Sequence, residues 1–254
     1  MVMDPGALAE AARVLIEARR KGRLAERFPL ASRPTDADEA DAIQQAVTAG
    51  LGERVAGWKV APSDQYGLLR GALIPSRLFP DAASISASMM PAIGVEAEIA
   101  FRCDRDLPPR DEAYEREEVE ERVTALVGIE IVNSRFRDSA AIPVIERAAD
   151  CMSNGGFVIG PARADWRGFD LSALPASLIV NGERIVDRRV GGHVAKDPIL
   201  PLIVLANILR KTTGLFKGQV VTTGTYTGVT PCKIGDQVEG VFEDFGKASL
   251  RVSA

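Results

Sequence analysis

Gly94-Val-Glu-Ala-Glu-Ile-Ala-Phe101 sets two carboxylates, Glu96 and Glu98, two residues apart inside an otherwise apolar run. In a strand, side chains two apart point to the same face, so both acids converge on one spot. An unpaired buried carboxylate costs several kcal/mol or takes up a proton, and two side by side repel. A third acid, Glu130, lies in a second apolar stretch, Ala125-Leu-Val-Gly-Ile-Glu-Ile-Val132. Three acids in strand-like apolar surroundings call for a cation, and oxygen-only ligands favour a hard one, Mg²⁺ or Mn²⁺. Alternation also allows Glu96 and Glu98 to lie on the solvated faces of strands. Glu130, flanked by Ile129 and Ile131, fits that reading less well.

Upstream, Val55-Ala-Gly-Trp-Lys-Val-Ala61 reads as a short strand carrying one lysine. Lys59 could sit on an exposed face or snorkel at an edge. Beside a carboxylate-metal site, its ammonium could instead hold an anionic substrate or the negative charge developing on it.

The rest of the pattern places these strands in an α+β fold. Residues 4–21 predict a helix, with Asp4 as N-cap, Pro5 in the first turn, basic residues at the end and Gly22 as the stop. Residues 35–49 predict a second, closed by Gly50 and Gly52. The charged segment 104–121 predicts a surface loop leading into a helix with Val119, Val123 and Leu126 as its apolar edge, and its acids read as a solvated face. A short helix is expected at 142–149, then a strand at 157–159. Asn181-Gly182 between two β-branched runs predicts a hairpin with a type I′ turn. Residues 198–209, capped by Asp197, predict a helix apolar nearly all round, hence buried or in a subunit interface. Strands are expected at 219–222, 237–242 and 248–252.

The chain has 254 residues, enough for one large core. No linker or repeat divides it, so residues 1–254 are expected to form a single catalytic domain. In that reading a helical section, 1–52, packs on a β-rich metal-binding core, 53–254. A net charge of −4 gives no reason to expect nucleic acid or an anionic membrane as partner. Cys103, Cys151 and Cys232 are widely spaced and form no CxxC pair, which fits reduced thiols in a cytoplasmic protein. Asp4 and Glu10 argue against a secretory signal, and no apolar run is long enough to span a bilayer.

Several pieces in this order resemble the fumarylacetoacetate hydrolase superfamily, and within it the branch of 2-oxopent-4-enoate hydratases and 4-oxalocrotonate decarboxylases. They are Gly57-Trp-Lys-Val60, Glu96-Ala-Glu-Ile-Ala-Phe101, Ile129-Glu-Ile-Val-Asn-Ser134, the segment from Ala149 to Gly160, Leu205-Ala-Asn207, Thr222-Thr-Gly-Thr225 and Gly235-Asp236. The similarity runs from about Ile43 to the C-terminus. It implies a mixed β-roll with flanking helices, assembled into homo-oligomers of two or more copies, some complexed with a related decarboxylase or hydratase. It implies a divalent ion, Mg²⁺ or Mn²⁺, held by Glu96, Glu98 and Glu130, with Lys59 at the branch's lysine position. Gly224 and Thr225 match a loop that approaches substrate. The implied substrates are small 2-oxo or 2-hydroxydienoic acids from aromatic catabolism.

Two positions depart from that pattern. Ser76 stands in Ile74-Pro-Ser-Arg-Leu78 where the branch has an acid that is a candidate for handling protons in water addition; a serine hydroxyl can hold a water but cannot accept its proton near neutral pH, so poor hydration is expected unless another acid fills the gap. Asp64 and Asp81 are the nearest acids that could replace it. Cys151 follows Asp150 where the branch often has Asn, and reads as a buried thiol. Hydration is thus the leading expectation. Decarboxylation, which needs no base to activate water, is the alternative, and a non-catalytic paralogue that binds metal and oxo acid is a second. Carbon–carbon bond hydrolysis would need a histidine near the metal motifs, and the single histidine is His193.

Overall fold

The structure, a computed structural model, describes residues 3–254, apart from the side chain of Met89. Asp4 accepts hydrogen bonds from the amides of Gly6 and Ala7 and so starts α1 (Pro5–Lys21), which ends at a left-handed Gly22. Asp36 caps α2 (Ala37–Leu51) through the Glu39 amide, while the Glu39 carboxylate reaches back to the amide and hydroxyl of Thr35. That reciprocal cap explains why the helix begins two residues later than the apolar periodicity suggests. Three further helices are α3 (Arg116–Glu120), α4 (Val144–Ala149) and α5 (Leu200–Leu209).

The strands are β1 (Gly57–Ser63), β2 (Gly67–Leu73), β3 (Leu78–Pro80), β4 (Ala83–Ser86), β5 (Gly94–Cys103), β6 (Val123–Val132) and β7 (Asn154–Arg163). They continue with β8 (Ala176–Val180), β9 (Glu183–Arg188), β10 (Val220–Thr225), β11 (Thr230–Pro231), β12 (Gln237–Phe242) and β13 (Gly246–Ser253). One sheet runs β2-β1-β10-β5-β6-β7-β3, with β11 also on β5; the other runs β4-β13-β12-β8-β9. This mixed α+β arrangement is the expected roll. Asn181 and Gly182 both have positive φ at the β8–β9 turn, as a type I′ hairpin requires.

The two sheets pack through alternate residues. Val95, Ala97, Ile99 and Phe101 of β5 join Val127, Ile129 and Ile131 of β6 in the main core, facing the second sheet. Gly240 on β12 leaves room there, since a Cβ would meet Ala97 and Ile129. The opposite face of the same strands carries the acids. Burial on both faces is why these strands read as unbroken apolar runs. A second cluster, around Leu15, Ile43, Phe28, Phe136 and Ala149, packs α1, α2 and α4 together.

Several boundaries differ from the sequence reading. Val123 and Leu126 belong to β6, not to a helix, because β6 pairs with β5 along its whole length from Val123 to Val132. The helix before it stops at Glu120. β2, β3, β4 and β11 went unread, being short and lacking alternation. Asp197 does not cap α5, which starts after Ile199; its carboxylate instead accepts from the Ile199 amide. No described helix is long and apolar enough to cross a membrane.

Between α4 and β7, Cys151, Met152 and Ser153 have φ of 50, 55 and 60°. Three successive non-glycine residues in the left-handed region are strained. They are held by close packing on Gly71 of β2, where an added Cβ would lie 2.3 Å from the Cys151 carbonyl oxygen. Gly71→Ala should therefore destabilise the protein by about 1–3 kcal/mol, the usual cost of overpacking, read as a lower denaturant midpoint. An unchanged midpoint would show that this turn is not braced by Gly71.

Candidate metal centre

In the β5–β6 ladder Glu96 lies directly opposite Glu130, and Glu98 opposite Gly128. Side chains of directly opposed residues share a face, so the three carboxylates gather over one spot. One carboxylate oxygen from each lies within 4.8 Å of the others, and all three residues are buried. Gly128 has no side chain because Phe157 leans over it: a Cβ would sit 2.1 Å from the ring.

Lys59 comes from β1, separated from β5 by β10. Its ammonium crosses Thr222 to reach Glu130 Oε1 at 2.8 Å and donates to the Met152 carbonyl at 3.2 Å. Asn154 donates to the same Glu130 oxygen at 2.9 Å. On the other side β10 is irregular between Thr222 and Thr225, and Gly224 has φ 124°. This bulge turns the Gly224 amide toward Glu98 Oε2, at 3.4 Å. A side chain at Gly224 would strike Val194, 2.6 Å away. The Thr225 hydroxyl accepts from the amides of Thr227 and Gly228, and it also reaches Glu96.

One ammonium among three carboxylates leaves two negative charges uncompensated. The strain shows in the acids. Burial, then the Glu130 charge, pushes the Glu96 carboxyl up to about 7, and the same two causes with Glu96 raise Glu98 well above the carboxylate range. Burial works against the charged form of Lys59, but Glu130, Glu96 and Glu98 outweigh it and raise its pKa. Glu98 Oε1 and Glu130 Oε2 are buried without a hydrogen-bond partner. Two unpartnered carboxylate oxygens and an all-oxygen donor set, which carries an excess of two charges once ionised, fit a hard divalent cation.

Glu96 and Glu98 line a cavity of about 770 Å³ together with Lys59, Gly224 and Thr225, while Glu130 lies buried behind them. Ser76 does not reach it. It lies exposed in a single 3₁₀ turn at Pro75–Arg77, outside the cavity wall, so this position supplies no group to the cavity. Asp64 is also exposed, and Asp81 caps the amides of Ala82 and Ser249. Sequence order misleads here, because the chain from β2 to β4 turns away to the sheet edge. His193 is buried against Tyr226, its Nδ1 accepts from the Ala195 amide, and burial pushes its pKa down to about 4, so it is neutral. Cys151 is buried, which raises its thiol pKa. The acids of α3 pair with Arg110 and Arg116, as expected of a solvated face. The sequence reading missed Met152 as a backbone acceptor and Asn154 as a partner of Glu130. Only the position of Asn154 beside a strand start hinted at it.

No family model matches the chain. It is 32% identical over 254 residues to a 2-keto-4-pentenoate hydratase of Paraburkholderia xenovorans (strain LB400), covering 93% of this chain and 91% of that protein. The chain belongs to the fumarylacetoacetate hydrolase superfamily, in its hydratase and decarboxylase branch. A second member of that branch, a 2-hydroxyhexa-2,4-dienoate hydratase of Comamonas testosteroni, is 30% identical over 79% of each chain. The fold matches a 4-oxalocrotonate decarboxylase from Pseudomonas putida G7, complexed with magnesium and adipate. The TM-score is 0.82 at 18% identity, over 99% of both chains.

The raised carboxyls set a sign for pH dependence. The folded protein holds protons on Glu96 and Glu98 that the unfolded chain releases near pH 4.5, so without divalent ions stability falls as pH rises from about 4.5 through 7. Metal-free Glu98→Gln should lose less melting temperature than wild type between pH 5 and 8. Millimolar Mg²⁺ or Mn²⁺ should raise the wild-type melting temperature at pH 8 by several degrees, and that of the variant much less. Equal ion responses in calorimetric melts would rule out Glu98 as a ligand.

Proposed function

We propose that the protein is a divalent-metal-dependent hydro-lyase that adds water to a small 2-hydroxydienoic or 2-oxo-enoic acid. The observation that carries this reading is the buried carboxylate trio with one ammonium beside it, opening to a cavity through Glu96 and Glu98. It is supported by the hydratase names of the relatives and by the magnesium in the structurally similar decarboxylase. Glu96, Glu98 and Glu130 would hold the ion, Mg²⁺ or Mn²⁺. When bound, it supplies Lewis acidity toward the substrate's carboxylate and C2 oxygen.

The chain's own groups do the rest. The Lys59 ammonium, fixed by Glu130 and the Met152 carbonyl, stabilises negative charge developing on the substrate oxygens. Its elevated pKa keeps it charged. Gly224 and Thr225 form the wall against which the substrate lies. The aliphatic lining, including Ile93 and Val229, limits water to what the polar end admits.

A second reading, decarboxylation of a vinylogous 2-oxo acid, is favoured by one observation. Apart from Glu96 and Glu98, no Asp or Glu is among the described residues lining the cavity, and His193 lies outside that lining with its Nδ1 lone pair taken by the Ala195 amide, so a separate base for water is lacking there. Loss of CO₂ needs only the electron sink. The reading extends to a cytoplasmic homo-oligomer: Leu200, Val204 and Ile208 form an exposed apolar stripe along α5, suited to a subunit interface.

The test follows the ultraviolet absorbance of 2-hydroxypenta-2,4-dienoate, and CO₂ release from 2-oxohex-3-enedioate, with and without Mg²⁺. Ion-dependent loss of the dienol is expected, abolished by Glu98→Gln. Lys59→Met should reduce turnover about 10²–10³-fold with little change in melting temperature. CO₂ release without dienol hydration would select the second reading. Ion-independent turnover, or full activity in Lys59→Met, would defeat both.

A further inference from the structure

The turn that carries Ser76 to the surface sends the next residue, Arg77, into a second pocket, which shares Pro91 and Ser134 with the metal cavity. Every charged residue lining this pocket is an arginine: Arg19 on the last turn of α1, Arg23 just beyond it, Arg77 and Arg135. Arg135 alone has a carboxylate partner, the buried Asp150. Among the described residues Arg19, Arg23 and Arg77 have none, and Arg19 Nε is buried without a hydrogen bond. Arg20, one residue on, shows the ordinary alternative: it donates to the Gly50 carbonyl near the end of α2. The crowding has an electrostatic cost. Burial and then the Arg19 charge lower the Arg77 pKa, and Glu53 opposes this only from beyond ion-pair distance. The same two causes push Arg135 down to about 10, against the pull of Asp150.

We propose that this pocket is a phosphate-binding site, which takes the dianion either as the free ion or as the end of a phosphorylated metabolite. The charge balance selects the ligand. The unanswered guanidinium groups of Arg19, Arg23 and Arg77 call for more than the single charge of a carboxylate, and their forked donors match phosphate oxygens. The space agrees. Its enclosed part is about 10 Å³, near the least that seats one water-sized atom, so one phosphate oxygen would enter it. The other oxygens would stay at the mouth, where Arg23 is exposed. An anion held there would also relieve the repulsion on Arg135. That residue ties the end of β6 to the start of β7, where Asn154 holds Glu130.

The experiment titrates the full chain calorimetrically at pH 8 with inorganic phosphate, glycerol 3-phosphate and acetate at one ionic strength. Divalent ions are left out, so that phosphate has no metal to bind. Acetate should bind at least about ten-fold more weakly than phosphate, as one charge against two implies. Glycerol 3-phosphate binding more tightly than phosphate assigns the site to a phosphorylated metabolite, and binding no tighter assigns it to the free ion. Arg77→Gln and Arg19→Gln, on separate elements, should each weaken phosphate by about ten-fold or more. Phosphate at about ten times its dissociation constant should raise the wild-type melting temperature by about 3–6 °C, and that of the variants much less. No phosphate binding by wild type, affinity unchanged in both variants, or acetate bound as tightly as phosphate overturns the proposal. The metal site and the oxo-acid reading stand or fall separately.

Discussion

Three buried carboxylates facing a single ammonium are the constraint around which the molecule is arranged. Left alone, such a group repels itself and takes up protons, as the raised Glu96 and Glu98 show. It persists because the positions are fixed by the ladder between β5 and β6, each ten residues long and buried on both faces. The alternate residues of those strands are locked into the core against the second sheet, so the acids cannot swing out to water without breaking it. The core's stability holds the site's electrostatic strain, and a divalent charge relieves it.

The groups surrounding the acids depend on backbone irregularity. The bulge at Gly224 turns an amide toward Glu98, and the left-handed run Cys151-Met152-Ser153 presents a carbonyl to Lys59. Each is braced from behind. Val194 crowds Gly224, and Gly71 makes room for the Cys151 backbone. Regular strands supply the charged side chains, while strained turns supply the polar backbone atoms that orient them.

A buried ion pair ties these parts together. Arg135 and Asp150 are almost fully enclosed, and the Arg135 guanidinium also donates to the carbonyls of Asn133, Asp150 and Asn154. It thereby links the end of β6, the turn after α4 and the start of β7. A fully hydrogen-bonded pair of this kind adds little net stability, but removing one partner leaves a buried charge unmatched. Its contribution here is to the placement of Met152 and Asn154 around Glu130.

The acids and the caps of the first helix were legible in the sequence, because each rests on a local rule. Two-residue spacing puts Glu96 and Glu98 on one face, Ile129 and Ile131 argue that Glu130 is buried, and Asp4 and Gly22 bound the first helix. The tertiary structure decided the rest. Register, not spacing, sets Glu130 opposite Glu96, and a parallel pairing of β1 with β10 brings Lys59 across Thr222. Ser76 looked close to the site because it lies between Lys59 and Glu96 in the chain. The β2–β4 segment carries it to the surface at the sheet edge. Only the folded chain shows Asn154 donating to Glu130, because the partners of a buried side chain are set by non-local packing.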